Sequence, residues 1–134
     1  MLKILTNNHS VHQIGMHLVW CTKFRHAVLK DGIDVIVKQT IAETCSVYNW
    51  LCHMIEVMPD HVHVFLQINH IDSPCDVAKT LKSLTAITVF TRNPQLKGNK
   101  FLGTGLWSDG TYYGSVGNVS QETIRAYIDG QKKR

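Results

Sequence analysis

Leu51-Cys52-His53-Met54-Ile55-Glu56-Val57-Met58-Pro59-Asp60-His61-Val62-His63-Val64-Phe65-Leu66-Gln67-Ile68 decides the fold. Leu51 to Met58 and His61 to Ile68 each read as a strand, and Pro59-Asp60 between them is a tight turn signal, so the stretch predicts a hairpin. Side chains alternate across a strand. His61 and His63 therefore share one face, while Val62, Val64 and Leu66 share the other and point to a core. A sheet with one apolar face needs helices to cover it.

The flanking sequence supplies them. From Asp31 to Tyr48, Ile33, Ile36, Val37, Ile41, Thr44, Cys45 and Tyr48 recur at helical spacing and make one inward stripe. Ser73 is a good N-cap, Pro74 suits the first helical position and Asp76 supports the dipole, so a second helix starts there and ends at Asn93-Pro94. Val77, Leu81, Leu84 and Thr88 are its expected inner stripe. From His12 to Lys23 the chain alternates as a strand, with Ile14, Met16, Leu18 and Trp20 on one face and Gly15, His17, Val19 and Cys21 on the other. Pro94 to Lys100 reads as a polar, basic loop. Leu106 to Val116 reads as a hairpin or bent strand around Ser108-Asp109-Gly110. Asn118 can cap a last helix with Gln121 at the capping-box spacing, and Ile124, Tyr127, Ile128 and Gln131 share a face of it. The order β-α-β-β-α-β-α predicts an α+β, ferredoxin-like βαββαβ antiparallel sheet with helices on one face and an added C-terminal helix carrying Tyr127.

Composition bounds the reading. With 134 residues, two cores would have roughly 65 residues each, a marginal size, so 1–134 reads as a single domain. At 44% apolar and 18% charged residues the chain is not disordered. No run of 18 apolar residues suggests a membrane span, and Met1 to Ser10 does not resemble a signal peptide, so a cytoplasmic location is expected. Residues 1–78 hold 5 basic and 7 acidic side chains, net −2, whereas 79–134 hold 9 and 3, net +6. A basic second half suits a polyanionic partner or is ordinary solvated surface. Cys21, Cys45, Cys52 and Cys75 lack C-x-x-C spacing, which argues against a zinc cluster or a disulfide framework, and read as buried thiols.

Two features carry possible chemistry. His61 and His63, side by side on a strand, form a platform for a divalent metal, or are simply solvated strand histidines. Tyr127 is a packing residue, or a phenolic nucleophile with Gln131 one turn on as a neutral oxygen ligand. Lys23, Arg25, Lys79, Lys82, Lys97 and Lys100 are candidates for holding phosphates, or surface charge. Trp20 and Trp107 are stacking candidates, with Trp20 the better core residue. His17 is strand-borne and a further candidate to reach the site, while His9, His12, His26, His53 and His70 show no partner pattern.

Three segments in order resemble the small single-tyrosine HUH transposases of the insertion sequence 200/605 type, the IS200-like transposases. They are His17-Leu18-Val19-Trp20-Cys21-Thr22-Lys23-Phe24-Arg25, then Met58-Pro59-Asp60-His61-Val62-His63-Val64-Phe65, then Leu106-Trp107-Ser108 with Tyr112-Tyr113-Gly114-Ser115-Val116-Gly117 and the Tyr127 helix. The resemblance spans about residues 12 to 131. It implies a metal-dependent enzyme that cleaves and rejoins single-stranded DNA through a 5′-phosphotyrosine on Tyr127. It implies His61, His63 and Gln131 as ligands of Mg²⁺ or Mn²⁺. It also implies hairpins at the element ends as the DNA partner, and a homodimer in which the Tyr127 helix can act in trans. Ser108-Asp109-Gly110-Thr111 is the segment where members vary. The competing readings are a non-catalytic ferredoxin-like module binding RNA or single-stranded DNA, and a domesticated, repeat-associated relative.

Overall fold

The structure, a computed structural model, describes residues 5–6, 11–12, 14–98, 101, 104–115 and 121–131. In chain order the elements are strands β1 (Leu5–Thr6), β2 (Val11–His12) and β3 (Gly15–Cys21), helix α1 (Ile33–Tyr48), strands β4 (Leu51–Met58) and β5 (His61–Gln67), helices α2 (Pro74–Arg92) and α3 (Pro94–Gly98), strand β6 (Tyr112–Ser115) and helix α4 (Gln121–Gly130). β1 and β2 pair as a short ribbon. The main sheet has the order β4-β5-β3-β6 and is antiparallel throughout. This is the expected ferredoxin-like arrangement, with the two central strands contributed by the first strand and by the second arm of the hairpin.

The predicted hairpin forms with Met58 opposite His61 across the Pro59-Asp60 turn. Met16, Leu18 and Trp20 of β3 and Val62, Val64 and Leu66 of β5 are buried against Val37 and Ile41 of α1 and Val77 and Leu81 of α2. Trp20 is fully buried and meets Trp107 edge-on, with ring centroids 5.9 Å apart. Trp107 is itself buried, and its Nε1 donates to the Lys82 carbonyl and to Thr85 Oγ1, both at 3.0 Å. Both indoles are structural, and neither presents a face to a base.

Several boundaries differ from the sequence expectation for local reasons. The first strand ends at Cys21 because Lys23–Arg25 form a 3-10 turn in which Phe24 and Arg25 adopt φ of 57° and 53°. α1 starts at Ile33, because Asp31 and Gly32 hold φ of 55° and 98°, a conformation that glycine accepts without a Cβ penalty. Ser73 caps α2 as expected, its hydroxyl accepting from the Asp76 amide at 3.2 Å. The inner stripe of α2 runs through Val77, Ala78, Leu81, Thr85 and Val89, whereas Leu84 is exposed. Thr85 can be buried because its hydroxyl donates to the Leu81 carbonyl at 2.7 Å, which removes the penalty on a buried polar group. The stretch after Asn93 is not all loop, since Pro94 opens the five-residue α3. The Asn118 cap lies outside the described residues. Among those residues no helix is long and apolar enough to cross a membrane.

Candidate active site

The face of the sheet turned away from α1 and α2 carries the candidate chemistry. Strand register sets the layout. Cys21 of β3 pairs with His61 and Val19 with His63 on one side, while Val19 pairs with Tyr112 of β6 on the other. α4 lies over this face. Its Ile128 is buried with Val19 and Cys21, and Tyr112 and Tyr127 pack on that small cluster with their ring centroids 5.8 Å apart. The histidine pair and the Tyr127 helix thus share one face, in this chain through its own α4.

Each histidine has a carboxylate beside it. His61 Nδ1 donates to Asp60 Oδ1 at 2.8 Å. His63 Nδ1 stands 3.5 Å from Glu56 Oε1, and its Nε2 is 2.8 Å from His17 Nδ1. An imidazole whose Nδ1 is held by a carboxylate is fixed in orientation and tautomer. At His61 this leaves Nε2 as the ligand atom, whereas His63 Nε2 is engaged by His17 Nδ1, which would have to release it before it held an ion. Burial lowers the proton affinity of His63, the neighbouring His17 lowers it further, and Glu56 opposes both. Burial also lowers that of His17. Both shifts favour the neutral ring, the form in which an imidazole binds a metal.

Arg25 ties the pair to α4. Its Nε and Nη2 both donate to Asp60 Oδ2 at 2.9 Å. Its Nη1 donates to the Ile128 carbonyl at 3.3 Å and lies 3.8 Å from Asp129 Oδ1. Burial disfavours ionised Asp60, but the hydrogen bonds from His61 and Arg25 and their charges outweigh it and hold the carboxyl below its ordinary range. A continuous chain therefore runs from His61 through Asp60 and Arg25 to the backbone beside Tyr127.

These shifts fix a pH dependence. Below about pH 6.5 the unfolded chain takes up protons that folded His17 and His63 refuse, so stability is lost as pH falls through that value. The Asp60 contribution is present above its ordinary pKa near 3.8 and is lost only at lower pH. Denaturant unfolding from pH 8 to 5 is expected to show falling stability in the lower part of that range; a flat or rising profile would contradict it.

Tyr127 and Gln131 meet at Gly110. A Cβ on Gly110 would lie 3.3 Å from Tyr127 Oη and 3.7 Å from Gln131 Oε1, so both oxygens stand against the same stretch of backbone. Gln131 is buried, and its amide donates to the Ile128 carbonyl at 3.0 Å.

The candidate phosphate contacts divide. Arg25 is committed to Asp60 and α4. Lys82 is also committed, its Nζ donating to the Ser108 and Gly110 carbonyls and to Thr111 Oγ1 at 2.9, 3.1 and 3.2 Å. Lys97 donates to the Thr104 carbonyl and lies over the Phe90 ring. Lys23 lies over Phe24. Lys79 is exposed on α2, where it lines a polar cleft with Ser83, Ser108 and Tyr113. Lys100 lies outside the described residues. The sequence reading missed Asp60 and Glu56 as partners of the histidines. Asp60 directly precedes His61, a signal that its assignment to the turn hid.

Residues 10–131 match the family described as Transposase IS200 like. The chain is 33% identical over 121 residues to the ISDra2 transposase TnpA of Deinococcus radiodurans, covering 90% of this chain and 86% of that protein. It superposes with a TM-score of 0.89 on a crystal structure described as a transposase from Deinococcus radiodurans R1, at 28% identity and covering 98% of this chain and 100% of that one. A REP-associated tyrosine transposase bound to a REP hairpin shares the fold, with a TM-score of 0.56 and 13% identity over 93% of this chain and 68% of that one. On the extent of the family match and the identity to the Deinococcus protein, the chain belongs to the IS200-like transposase family.

Proposed function

We propose that this transposase cleaves and rejoins single-stranded DNA at the ends of an insertion sequence, in the cytoplasm and as a single domain, through a 5′-phosphotyrosine on Tyr127. The observation that supports it best is the chain His61–Asp60–Arg25–Ile128, which couples the histidine pair to the helix of the nucleophile.

The donor set suits a divalent cation. His61 and His63 offer two neutral imidazoles, each next to a carboxylate that orients it. Among the described residues no group of three His, Cys, Asp or Glu is placed to hold an ion, and the third ligand is proposed to be of another kind. Gln131 Oε1, beside the Tyr127 hydroxyl at Gly110, is a neutral oxygen of that kind. Two imidazoles favour Mn²⁺, while Mg²⁺ is the more abundant ion. When bound, the ion would polarise the scissile phosphate and offset its developing charge.

The residues of the chain do the rest. Asp60 holds the His61 ring in one tautomer. Tyr127 Oη loses its proton and attacks phosphorus, the P–O3′ bond breaks, and the 3′ oxygen leaves as a hydroxyl. A second 3′-hydroxyl then attacks the phosphotyrosine, its proton is lost, and the phenol is released. The bond energy stays in the linkage, so no nucleotide cofactor is consumed. Lys79, Lys23, Lys97 and Lys100 are the proposed phosphate contacts. The partner DNA is proposed to carry hairpins at the element ends. The working unit is proposed to be a homodimer, in which exchange of α4 would place the Ile128 contacts with Val19 and Cys21 between chains.

Asp60→Asn tests whether the carboxylate on His61 Nδ1 strengthens that ring as a ligand. The amide can still accept from His61 but no longer carries the charge that raises ligand basicity, so Mn²⁺ affinity, measured by calorimetry, is expected to fall about 10- to 100-fold. Unchanged affinity would remove Asp60 from the site.

A further inference from the structure

The lysine in the middle of α2 is spent entirely on one loop. Lys82 Nζ has three protons, and three acceptors of the 108–111 segment surround it: the Ser108 carbonyl at 2.9 Å, the Gly110 carbonyl at 3.1 Å and Thr111 Oγ1 at 3.2 Å. The lysine itself is anchored. Its carbonyl accepts from Trp107 Nε1 and from Thr85 Oγ1, both at 3.0 Å, and Trp107 Nε1 also reaches Thr85 Oγ1. The helix, the buried indole and the loop thus form one hydrogen-bonded unit. A compact ammonium suits three converging acceptors better than a planar guanidinium.

The far side of that loop is where Tyr127 and Gln131 stand. Gly110, whose carbonyl Lys82 holds, presents its bare Cα to Tyr127 Oη and Gln131 Oε1. A methyl group there would lie 3.3 Å and 3.7 Å from them. The first of these spacings is tighter than an ordinary van der Waals contact, so the phenol would have to shift by a few tenths of an ångström.

We infer that Lys82 is a positioning residue. It clamps the 108–111 loop so that the Gly110 backbone seats the Tyr127 hydroxyl and the Gln131 carboxamide side by side. This rests on the nucleophile and ligand roles proposed above. It replaces a phosphate-binding role for Lys82 with one exerted through the loop. Small displacements of a reacting group cost large factors in rate, which is why a clamp remote from the phosphate matters.

The test uses the full chain labelled with 3-fluorotyrosine and read by ¹⁹F NMR without DNA. The Tyr127 signal is assigned by its loss in Tyr127→Phe. Tyr48, stacked on Trp50 at the end of α1, serves as an internal control. In Lys82→Met the Tyr127 signal is expected to shift or broaden while that of Tyr48 stays in place. Cleavage of single-stranded DNA from the flanks of the encoding gene should fall about 10- to 100-fold in kcat, with the affinity for that DNA unchanged. Lys82→Arg should recover part of the loss. Gly110→Ala, which leaves Lys82 intact, should move the same Tyr127 signal, and it decides the matter if Lys82→Met does not fold. An unmoved Tyr127 signal in folded Lys82→Met or in Gly110→Ala would overturn the inference. So would a weakened, less salt-sensitive DNA affinity with Tyr127 unmoved, since loss of a phosphate contact lowers the number of counterions released. Because the NMR arm needs no catalysis, a wild-type chain that fails to cleave would defeat the proposed function without deciding the clamp.

Discussion

Tyr127→Phe is expected to abolish strand cleavage, lowering the rate by at least about 10³-fold, while binding of the same single-stranded DNA persists. The substitution removes one oxygen atom and leaves the ring that packs beside Tyr112. Ile128 still fills its place against Val19 and Cys21, so α4 keeps its seat. No other tyrosine sits on α4, and Tyr112 and Tyr113 belong to β6. Cleavage is read on end-labelled DNA over a time course long enough to detect a thousandth of the wild-type rate. A variant that cleaves at or near the wild-type rate would show that another group attacks phosphorus. Loss of binding along with cleavage would show that the phenol holds DNA.

Mn²⁺ is expected to stabilise the wild-type protein, and His61→Ala is expected to remove most of that effect. An ion that binds only the folded state at 100 times its dissociation constant stabilises by about 2.7 kcal/mol, several degrees in Tm. Removing one of two imidazoles leaves a weak site and most of that shift should vanish. The alanine also leaves Asp60 paired with Arg25, so its charge remains compensated. Thermal melts with and without Mn²⁺ on both proteins make the comparison. Equal Mn²⁺ shifts in wild type and His61→Ala would place the ion elsewhere, and the absence of any shift in the wild type would remove the ion from the apo protein.

Much of the fold could be read from alternation and end signals. Val62, Val64 and Leu66 are buried as their spacing requires, and Ser73-Pro74 opens α2 at the expected residue. The misreadings share a cause, namely hydrogen bonds to the backbone that residue types do not announce. Thr85 displaced Leu84 from the inner stripe because a helix carbonyl satisfies its hydroxyl. For Lys82 and Arg25 a sequence shows charge but not the partners that occupy their donors, loop carbonyls at Lys82 and the Asp60 carboxylate at Arg25. Trp107 looked available for stacking because its partners lie 22 and 25 residues away. The resemblance to a known family pointed to His61, His63, Tyr127 and Gln131. The structure adds what surrounds them: Asp60 and Glu56 at the imidazoles, His17 beside His63, and Gly110 against the tyrosine. His17 was visible as a strand residue on the right face, but only the β3–β5 register brings its ring to His63.

The most direct test of the central claim is to locate the covalent bond. Single-stranded DNA from both flanks of the encoding gene would be incubated with the wild-type protein and Mn²⁺, and the denatured protein digested with trypsin. Cleavage after Arg125 and Lys132 releases Ala126-Tyr127-Ile128-Asp129-Gly130-Gln131-Lys132. This peptide, and no other, is expected to carry nucleotide mass through a 5′-phosphate on Tyr127, and only when single strands and the ion were both present. Nucleotide on any other peptide, or cleavage with no protein-bound nucleotide, would contradict it.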